Sequence, residues 1–223
     1  MTISYVGSGS ADSNTVSIPT HQQWDLLLAF AYRNNTNSVA TIPSDWNLLG
    51  WVSNNTNSLL CGWRIAQSGS ETFGTWTNAN QVAVGVYRSD TKLLAAAAQA
   101  TNTGTVGSGG NVLYLLQVAV SPVTNKWLVW AFGHRSNDTD IQTAPTGQTN
   151  RTSIAGASAG EMGFHDSNGN YSSWSNTNYT LTAGTSSGYA VRAVEIVETP
   201  ILLSSLGGGT SRPVSPFLSQ VIA

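Results

Sequence analysis

A serine between glycines is the first residue pattern in this sequence that could do chemistry. The run Gly156-Ala157-Ser158-Ala159-Gly160 has the letters of a nucleophile elbow, and His165 and Asp166 follow it closely. A working elbow lies between a strand and a helix, with its acid and its histidine much farther along the chain. Because small residues and glycines surround this serine instead, the sequence favours a plain turn or strand edge over a nucleophile.

Carboxylates and histidines could form a metal site. Glu161, His165 and Asp166 do not have the spacing of zinc ligands, and Asp138 and Asp140 form at most a weak calcium site in a loop. The segment that starts at Asp166 begins like a calcium loop, but its glycine is at the fourth position and its twelfth position has no carboxylate. An Asx turn at Asp166 is the simpler interpretation. We therefore expect no metal and no cofactor.

Aromatic residues in polar stretches could bind sugars. Trp76 and Trp174 lie in stretches rich in Ser, Thr and Asn, where an indole could stack on a sugar ring beside amides and hydroxyls. Tyr171 precedes Trp174 in the same kind of stretch. These three residues are the candidate glycan contacts, although a large aromatic in such a place more often closes the end of a β-sandwich.

The low charge of the chain limits its partners. Only 9% of the residues are charged, against roughly 25% in an average soluble domain. The nine lysines and arginines are scattered and cannot form the basic stripe that nucleic acid requires. Such a surface gains little solubility from charge, so we expect neighbouring subunits to cover much of it.

Neither export nor membrane insertion is indicated. The first residues contain no basic segment followed by an apolar one, so no signal peptide is predicted. The longest apolar runs are far shorter than the ~20 residues that cross a bilayer. Cys61, the single cysteine, cannot form an intrachain disulfide and is predicted to be a small buried apolar residue.

Short apolar runs between clusters of Gly, Ser, Asn and Pro predict an all-β protein. Leu26 to Phe30 and Trp127 to Phe132 are apolar on both faces and are predicted central strands. Alternation in Val82 to Tyr87 and in Val191 to Val197 predicts half-buried strands. The alanines of Leu93 to Ala100 favour either a short helix or an irregular link. The predicted strands are Ile3 to Val6, Val16 to Ile18, Asp25 to Tyr32, Leu48 to Val52, Leu59 to Ile65, Gln81 to Tyr87, Asn111 to Val120, Trp127 to His134, Ser153 to Ala155, Glu161 to Phe164, Tyr179 to Thr182 and Tyr189 to Val197.

An internal repeat organises these strands. Ala29-Phe30-Ala31-Tyr32-Arg33 recurs as Ala131-Phe132-Gly133-His134-Arg135 at an offset of 102, and Pro43 recurs as Pro145 at the same offset. Matches at offsets of 100 and 98 link Val6-Gly7-Ser8-Gly9 to Val106-Gly107-Ser108-Gly109 and Thr75-Trp76-Thr77-Asn78 to Ser173-Trp174-Ser175-Asn176. Chance alignment of two similar β regions is the alternative. We expect a jelly-roll-like β-sandwich over residues 1–200, in which two related strand sets bury each other's apolar faces.

Residues 201–223 have a different character. Gly207-Gly208-Gly209 forms a flexible joint, and Pro213 and Pro216 favour an extended segment after it. We predict a C-terminal arm that docks on a neighbouring subunit; a disordered terminus is the alternative. The apolar residues that would fill grooves on that subunit are Val214, Phe217, Leu218, Val221 and Ile222.

Several motifs together resemble a domain family of tailed bacteriophages. The resemblance covers about residues 1–198. The motifs that carry it are Trp24 to Phe30, Ile42 to Gly50, Gly62 to Ala66, Gly69-Ser70-Glu71, Gly74 to Thr77, Ala83 to Arg88, Gly133-His134-Arg135 and Thr143 to Gly147. Members are labelled minor tail, fibre, spike or virion structural proteins, and the resemblance implies a β-sandwich on the particle exterior without catalytic residues.

These observations favour a non-enzymatic virion protein, made in the host cytoplasm and placed on the surface of the phage particle. Its expected partners are major capsid or tail proteins and other copies of itself, with a trimer as the expected oligomer. It would decorate or cement the head, or form part of the tail or fibre. The first alternative is a carbohydrate-binding module that attaches to host glycans. The second is a polysaccharide-degrading enzyme, although the sequence marks out no carboxylate pair for that reaction.

Overall fold

The described part of the chain forms an all-β sandwich. A computed structural model describes residues 3–34, 36–54, 56–90, 93–104, 112–115, 125–135, 144–156, 160–172, 177–180 and 188–199. The first half contributes β1 (Ser4–Ala11), β2 (Leu26–Asn34), β3 (Asn47–Ser53), β4 (Asn57–Ile65) and β5 (Gln81–Arg88). The second half contributes β6 (Leu93–Gly104), β7 (Val112–Leu115), β8 (Lys126–His134), β9 (Thr149–Gly156), β10 (Gly160–Asp166), β11 (Thr177–Thr180) and β12 (Tyr189–Thr199).

The two main sheets have the same strand order. The first sheet is β1-β5-β2-β4-β3 and the second is β6-β12-β8-β10-β9, and all neighbouring strands are antiparallel. Each sheet therefore runs first, fifth, second, fourth, third in the chain order of its own five strands. β7 and β11 form a separate two-stranded sheet. The predicted sandwich and its duplicated strand sets are confirmed, and the connectivity is one sheet for each half of the chain.

The repeat extends to a local irregularity. β3 has a bulge at Leu49, opposite the step from Cys61 to Gly62 in β4. β9 has a bulge at Arg151, opposite the step from Phe164 to His165 in β10. A bulge bends its strand and re-aims the extra side chain. The third strand of each half thus has a bulge at the same place in its sheet.

The side chains of residues that match in sequence between the two halves nevertheless face different ways. Phe30 points into the space between the sheets, where its ring centroid lies 5.4 Å from that of Phe164. Gly133 faces the same space, because a Cβ built on it would lie 2.0 Å from the Tyr32 ring. Successive strand residues alternate in direction, so Phe132, the counterpart of Phe30 in the letters, faces away from the first sheet. The topology is repeated, whereas the sequence match in β2 and β8 is one residue out of step with it.

Two apolar clusters cover the two faces of the first sheet. Between the sheets lies the inter-sheet core, which includes Leu26, Leu28, Phe30, Tyr32, Cys61, Tyr87, Val129, Met162, Phe164 and Ile196. The opposite face of the first sheet carries the outer core, which includes Leu27, Ala29, Trp46, Leu60, Phe73, Trp76, Val82, Val84 and Val86. β2 and β8 are the middle strands of their sheets and are buried throughout their apolar runs, as predicted.

Three strand predictions need correction. Leu93 to Ala100 is neither helix nor link but part of β6, because pairing with β12 supplies its backbone hydrogen bonds and overrides the helix preference of alanine. Val16 to Ile18 is not a strand; Val16 and Ile18 pack instead against the outer core. The alternating runs in β5 and β12 are buried on both faces rather than on one.

Burial of Cys61 makes the stability of the fold sensitive to alkaline pH. Desolvation raises the pKa of the Cys61 thiol, against the smaller opposing effect of Arg192. The unfolded thiol loses its proton above about pH 8.5 while the folded thiol keeps it, so rising pH favours the unfolded chain.

We expect the free energy of unfolding in urea to fall by about 1 to 2 kcal/mol between pH 8 and pH 9.5. Cys61→Ala should be less stable at pH 8, because it leaves a small cavity, but should lose most of this pH dependence. An equal fall in both proteins would show that Cys61 is not its source.

Candidate functional site

Trp76 is not available to a sugar. Its side chain is 0% exposed and closes the outer core, with ring centroids 5.5 Å from Trp46 and 5.4 Å from Phe73. A Cβ on Gly62, in the strand beneath, would lie 2.7 Å from the indole. The prediction of a glycan contact at Trp76 is therefore wrong. The indole is buried by Trp46, from a distant part of the sequence, and by Phe73, three positions before it, while its immediate neighbours in sequence are polar.

The other predicted contacts fall in different places. Tyr171 is half-buried, and its ring lies 5.5 Å from the Lys126 ammonium. Burial raises the pKa of Tyr171, and the charge of Glu195 and a hydrogen bond to it raise that pKa further. Tyr171 is thus engaged by charged residues of β8 and β12. Trp174 lies outside the described residues, and so do the predicted docking residues of the arm, Val214, Phe217, Leu218, Val221 and Ile222.

The motifs that could have carried catalysis or metal binding lie partly outside the described residues. Ser158 lies outside the described residues, as do Asp138 and Asp140. His165 is buried, and its ring centroid lies 4.8 Å from that of Phe132. The Asx turn is confirmed, because the Asn168 N–H donates to Asp166 Oδ1 at 2.9 Å. Within the described residues no group of His, Cys, Asp and Glu side chains could hold a metal ion.

Several carboxylates serve the fold. Asp166 pairs with the Arg151 guanidinium at 2.8 Å and is buried. Asp25, also buried, accepts two hydrogen bonds of 2.7 Å from Arg88. A third arginine, Arg64, is shared between Asp45 and Glu71. These acids hold strands and loops together, and each carboxylate charge is balanced by an arginine.

The exposed apolar residues form a different candidate. Leu48 and Trp51, both in the edge strand β3, are 48% and 52% exposed. We call these two residues the β3 surface. Trp24, at the turn before β2, is 46% exposed. Single exposed apolar residues are common, but two large ones on one short edge strand form a surface that a partner could cover.

The bulge and a buried arginine determine how the β3 surface is presented. Leu49 and Val52 pack against the inter-sheet core, so Leu48 and Trp51 point to the opposite side of the strand. Arg192 reaches across the sandwich from β12 and donates to the carbonyl oxygens of Leu49 at 3.1 Å and Trp51 at 3.2 Å. Burial lowers the pKa of this arginine. The guanidinium thus fixes the backbone at the bulge and on both sides of Gly50.

Glycine is required between these two carbonyls. Gly50 has φ of 136°, and a Cβ there would lie 2.4 Å from the Arg192 guanidinium. Bound carbonyls on an edge strand also give an approaching strand less to pair with. The β3 surface is consequently rigid, and a partner would recognise its side chains rather than extend the sheet. A glycine beside Trp51 was the only sign of this arrangement in the sequence.

The described residues contain no helix suited to crossing a bilayer. Comparisons of the chain with protein families, curated proteins and solved structures find no match.

Proposed function

We propose that the protein is a non-enzymatic structural component of the exterior of a tailed-phage virion. It would decorate or cement the head, or form part of the tail or fibre, through contacts with major capsid or tail proteins and with its own copies. The resemblance of residues 1–198 to phage structural domains supports this proposal. So do the low content of charged residues and the β-sandwich fold.

The observation that carries the proposal furthest is the β3 surface. Leu48 and Trp51 are exposed on a strand that the Arg192 hydrogen bonds hold in place. A large aromatic residue on a rigid element can bind a partner without ordering a loop, which lowers the entropy cost of association. Tryptophan is also among the residue types that contribute most to protein interfaces. The exposed strand suits a permanent contact between virion proteins.

The first test is the protein composition of the particle. Virions of the phage that encodes the chain, purified through a density gradient and identified by mass spectrometry, should contain it in a fixed ratio to the major capsid protein. Antibodies raised against the folded chain should label intact particles in electron micrographs. Gradient-purified virions that lack the chain, or that bind the antibody only after disruption, would contradict the proposal.

A second test addresses the β3 surface. A phage that carries Leu48→Ser and Trp51→Ser should incorporate the chain at least about ten-fold less than the wild type, because a partner contact is lost. Trp24→Asn is the matched control, since it removes an exposed tryptophan elsewhere and should leave incorporation unchanged. Both variant proteins should unfold within about 1 kcal/mol of the wild type, because the replaced side chains are half in solvent. Normal incorporation of the double variant would remove the β3 surface from the proposal.

A further inference from the structure

Trp24 combines high exposure with an unusual backbone conformation. Its φ is 77°, in the left-handed region. The other non-glycine residues with positive φ in the described part of the chain are Asn78 and Asn168, and asparagine tolerates this region because its short polar side chain can bond locally. A bulky residue does so only at a cost in free energy, and such strain is concentrated at functional positions. Glycine or asparagine would form this turn more readily, so the indole itself needs an explanation.

The turn that carries Trp24 is rigid. The Trp24 N–H donates to the Ala66 carbonyl at 2.8 Å, and the Ala66 N–H donates to the Asp25 carbonyl at 2.8 Å. The Asp25 N–H closes the turn on the Gln22 carbonyl at 3.2 Å. Beneath it, the buried Asp25 carboxylate holds Arg88 in a bidentate pair. The indole is therefore presented from a fixed backbone.

A second loop lies against this turn and is tied to it by a histidine. The Glu71 N–H donates to His21 Nε2 at 3.3 Å, and His21 Nδ1 donates to the Pro19 carbonyl at 2.7 Å. The Glu71 carboxylate turns back to accept from the Ser68 N–H at 3.2 Å and pairs with Arg64. The acids of the two loops are thus each paired with a strand arginine, Asp25 with Arg88 and Glu71 with Arg64.

The exposed side chains of the two loops form an uncharged rim beside Trp24. The exposed residues of the two loops have amide or hydroxyl side chains, apart from a glycine at position 69. They are Thr20, Gln22, Gln23, Gln67, Ser68 and Ser70. An aromatic face with a neutral rim of donors and acceptors matches a sugar, whose ring presents C–H groups on one side and hydroxyls at its edge. Arg88, whose side chain is 29% exposed, is neutralised by the buried Asp25 carboxylate beneath the turn.

We propose that Trp24 and this neutral rim bind an uncharged saccharide, with a pyranose ring stacked on the indole. The site is distinct from the three aromatic residues that the sequence indicated and does not depend on where the protein resides. Trp51 is equally exposed, but its neighbour on the strand is the apolar Leu48, which fits a protein contact better than a sugar.

Saturation-transfer NMR on the full chain tests the proposal directly. The probes are four neutral oligosaccharides, namely maltohexaose, cellohexaose, chitohexaose and a β-1,4-galactohexaose. At least one of these sugars should bind the wild type. Trp24→Asn should raise the Kd for that sugar by about ten-fold or more. Trp51→Ala, which removes a tryptophan of similar exposure, should bind like the wild type.

Unfolding in urea distinguishes a binding role from a structural one. Because asparagine adopts the left-handed conformation more easily, Trp24→Asn should have the same urea midpoint as the wild type or a higher one. Loss of sugar binding with an unchanged or higher midpoint supports the proposal. It is overturned if none of the four sugars binds the wild type at millimolar concentration, if Trp24→Asn binds as well as the wild type, or if Trp51→Ala loses binding equally.

Discussion

Asp166→Ala should destabilise the protein by about 3 to 5 kcal/mol, because it leaves a largely buried guanidinium without its partner. Asp166 is fully buried, and its Oδ2 accepts from Arg151 Nε at 2.8 Å and from the Tyr87 hydroxyl at 3.1 Å. Its Oδ1 accepts from the Asn168 N–H. One substitution therefore removes three hydrogen bonds and the charge that balances Arg151. The measurement is the free energy of unfolding in urea.

The size of this effect follows from the position of Asp166 between the sheets. Arg151 belongs to β9 and Asp166 to β10, while Tyr87 belongs to β5 in the first sheet. The Arg151 guanidinium also lies 4.0 Å from the ring centroid of Tyr5 in β1. The pKa of Tyr87 is raised, first by burial and then by the charge of Asp166 and the hydrogen bond to it. This cluster closes one side of the sandwich and joins its two halves.

Asp45→Ala is the matched control for Asp166→Ala. Asp45 also pairs with an arginine, Arg64, but its side chain is 51% exposed. Arg64 keeps a hydrogen bond to the Thr72 carbonyl at 2.5 Å and an ion pair with Glu71. We expect a loss of about 1 kcal/mol or less, as for other exposed ion pairs. Similar losses in the two variants would contradict the role assigned to Asp166.

Trp76→Ala is the second substitution with a large expected effect, a loss of about 3 to 5 kcal/mol in the free energy of unfolding. The indole is fully buried and is stacked on Phe73 with an angle of 22° between the ring planes. Its removal opens a cavity between the loops and the outer face of the first sheet. The segment is held by main-chain bonds from Trp76 to Asn14 at 2.8 Å and from Ala79 to Trp76 at 2.9 Å, which limits collapse.

Trp51→Ala provides the comparison for Trp76→Ala, since both remove an indole but only one is buried. Replacing the exposed Trp51 should lower the free energy of unfolding by less than about 1 kcal/mol. If urea unfolding shows that Trp76→Ala lowers the free energy of unfolding by less than about 1 kcal/mol, the outer core does not depend on the Trp76 side chain. Sugar binding that fell in Trp76→Ala without a fall in stability would restore the glycan role that its burial excludes.

Strand positions could be predicted because they depend on local pattern. β2 and β8 are apolar on both faces, and a strand of that kind is stable only in the middle of a covered sheet. The runs around Cys61 and Phe164 are likewise bounded by turn residues. β6 was missed, because its alanines favour a helix and only the pairing with β12 makes them a strand.

The candidate surfaces could not be predicted, because they depend on contacts between distant residues. The β3 surface exists because Arg192 binds the carbonyls of Leu49 and Trp51, which lie 143 and 141 positions away in sequence. Trp76 is buried in part by Trp46, from another segment, although its immediate neighbours in sequence are polar. No residue pattern around Trp24 predicts a left-handed backbone conformation. Composition shows which residues could bind, and the fold decides which of them are exposed.

Cryo-electron microscopy of the intact virion tests the central proposal most directly. The map should show copies of two five-stranded sheets on the outer surface of the head, tail or fibre, with the Leu48 and Trp51 side chains against a neighbouring subunit. Particles complete in every other component but without this density, or copies whose β3 surface faces solvent everywhere, would contradict it.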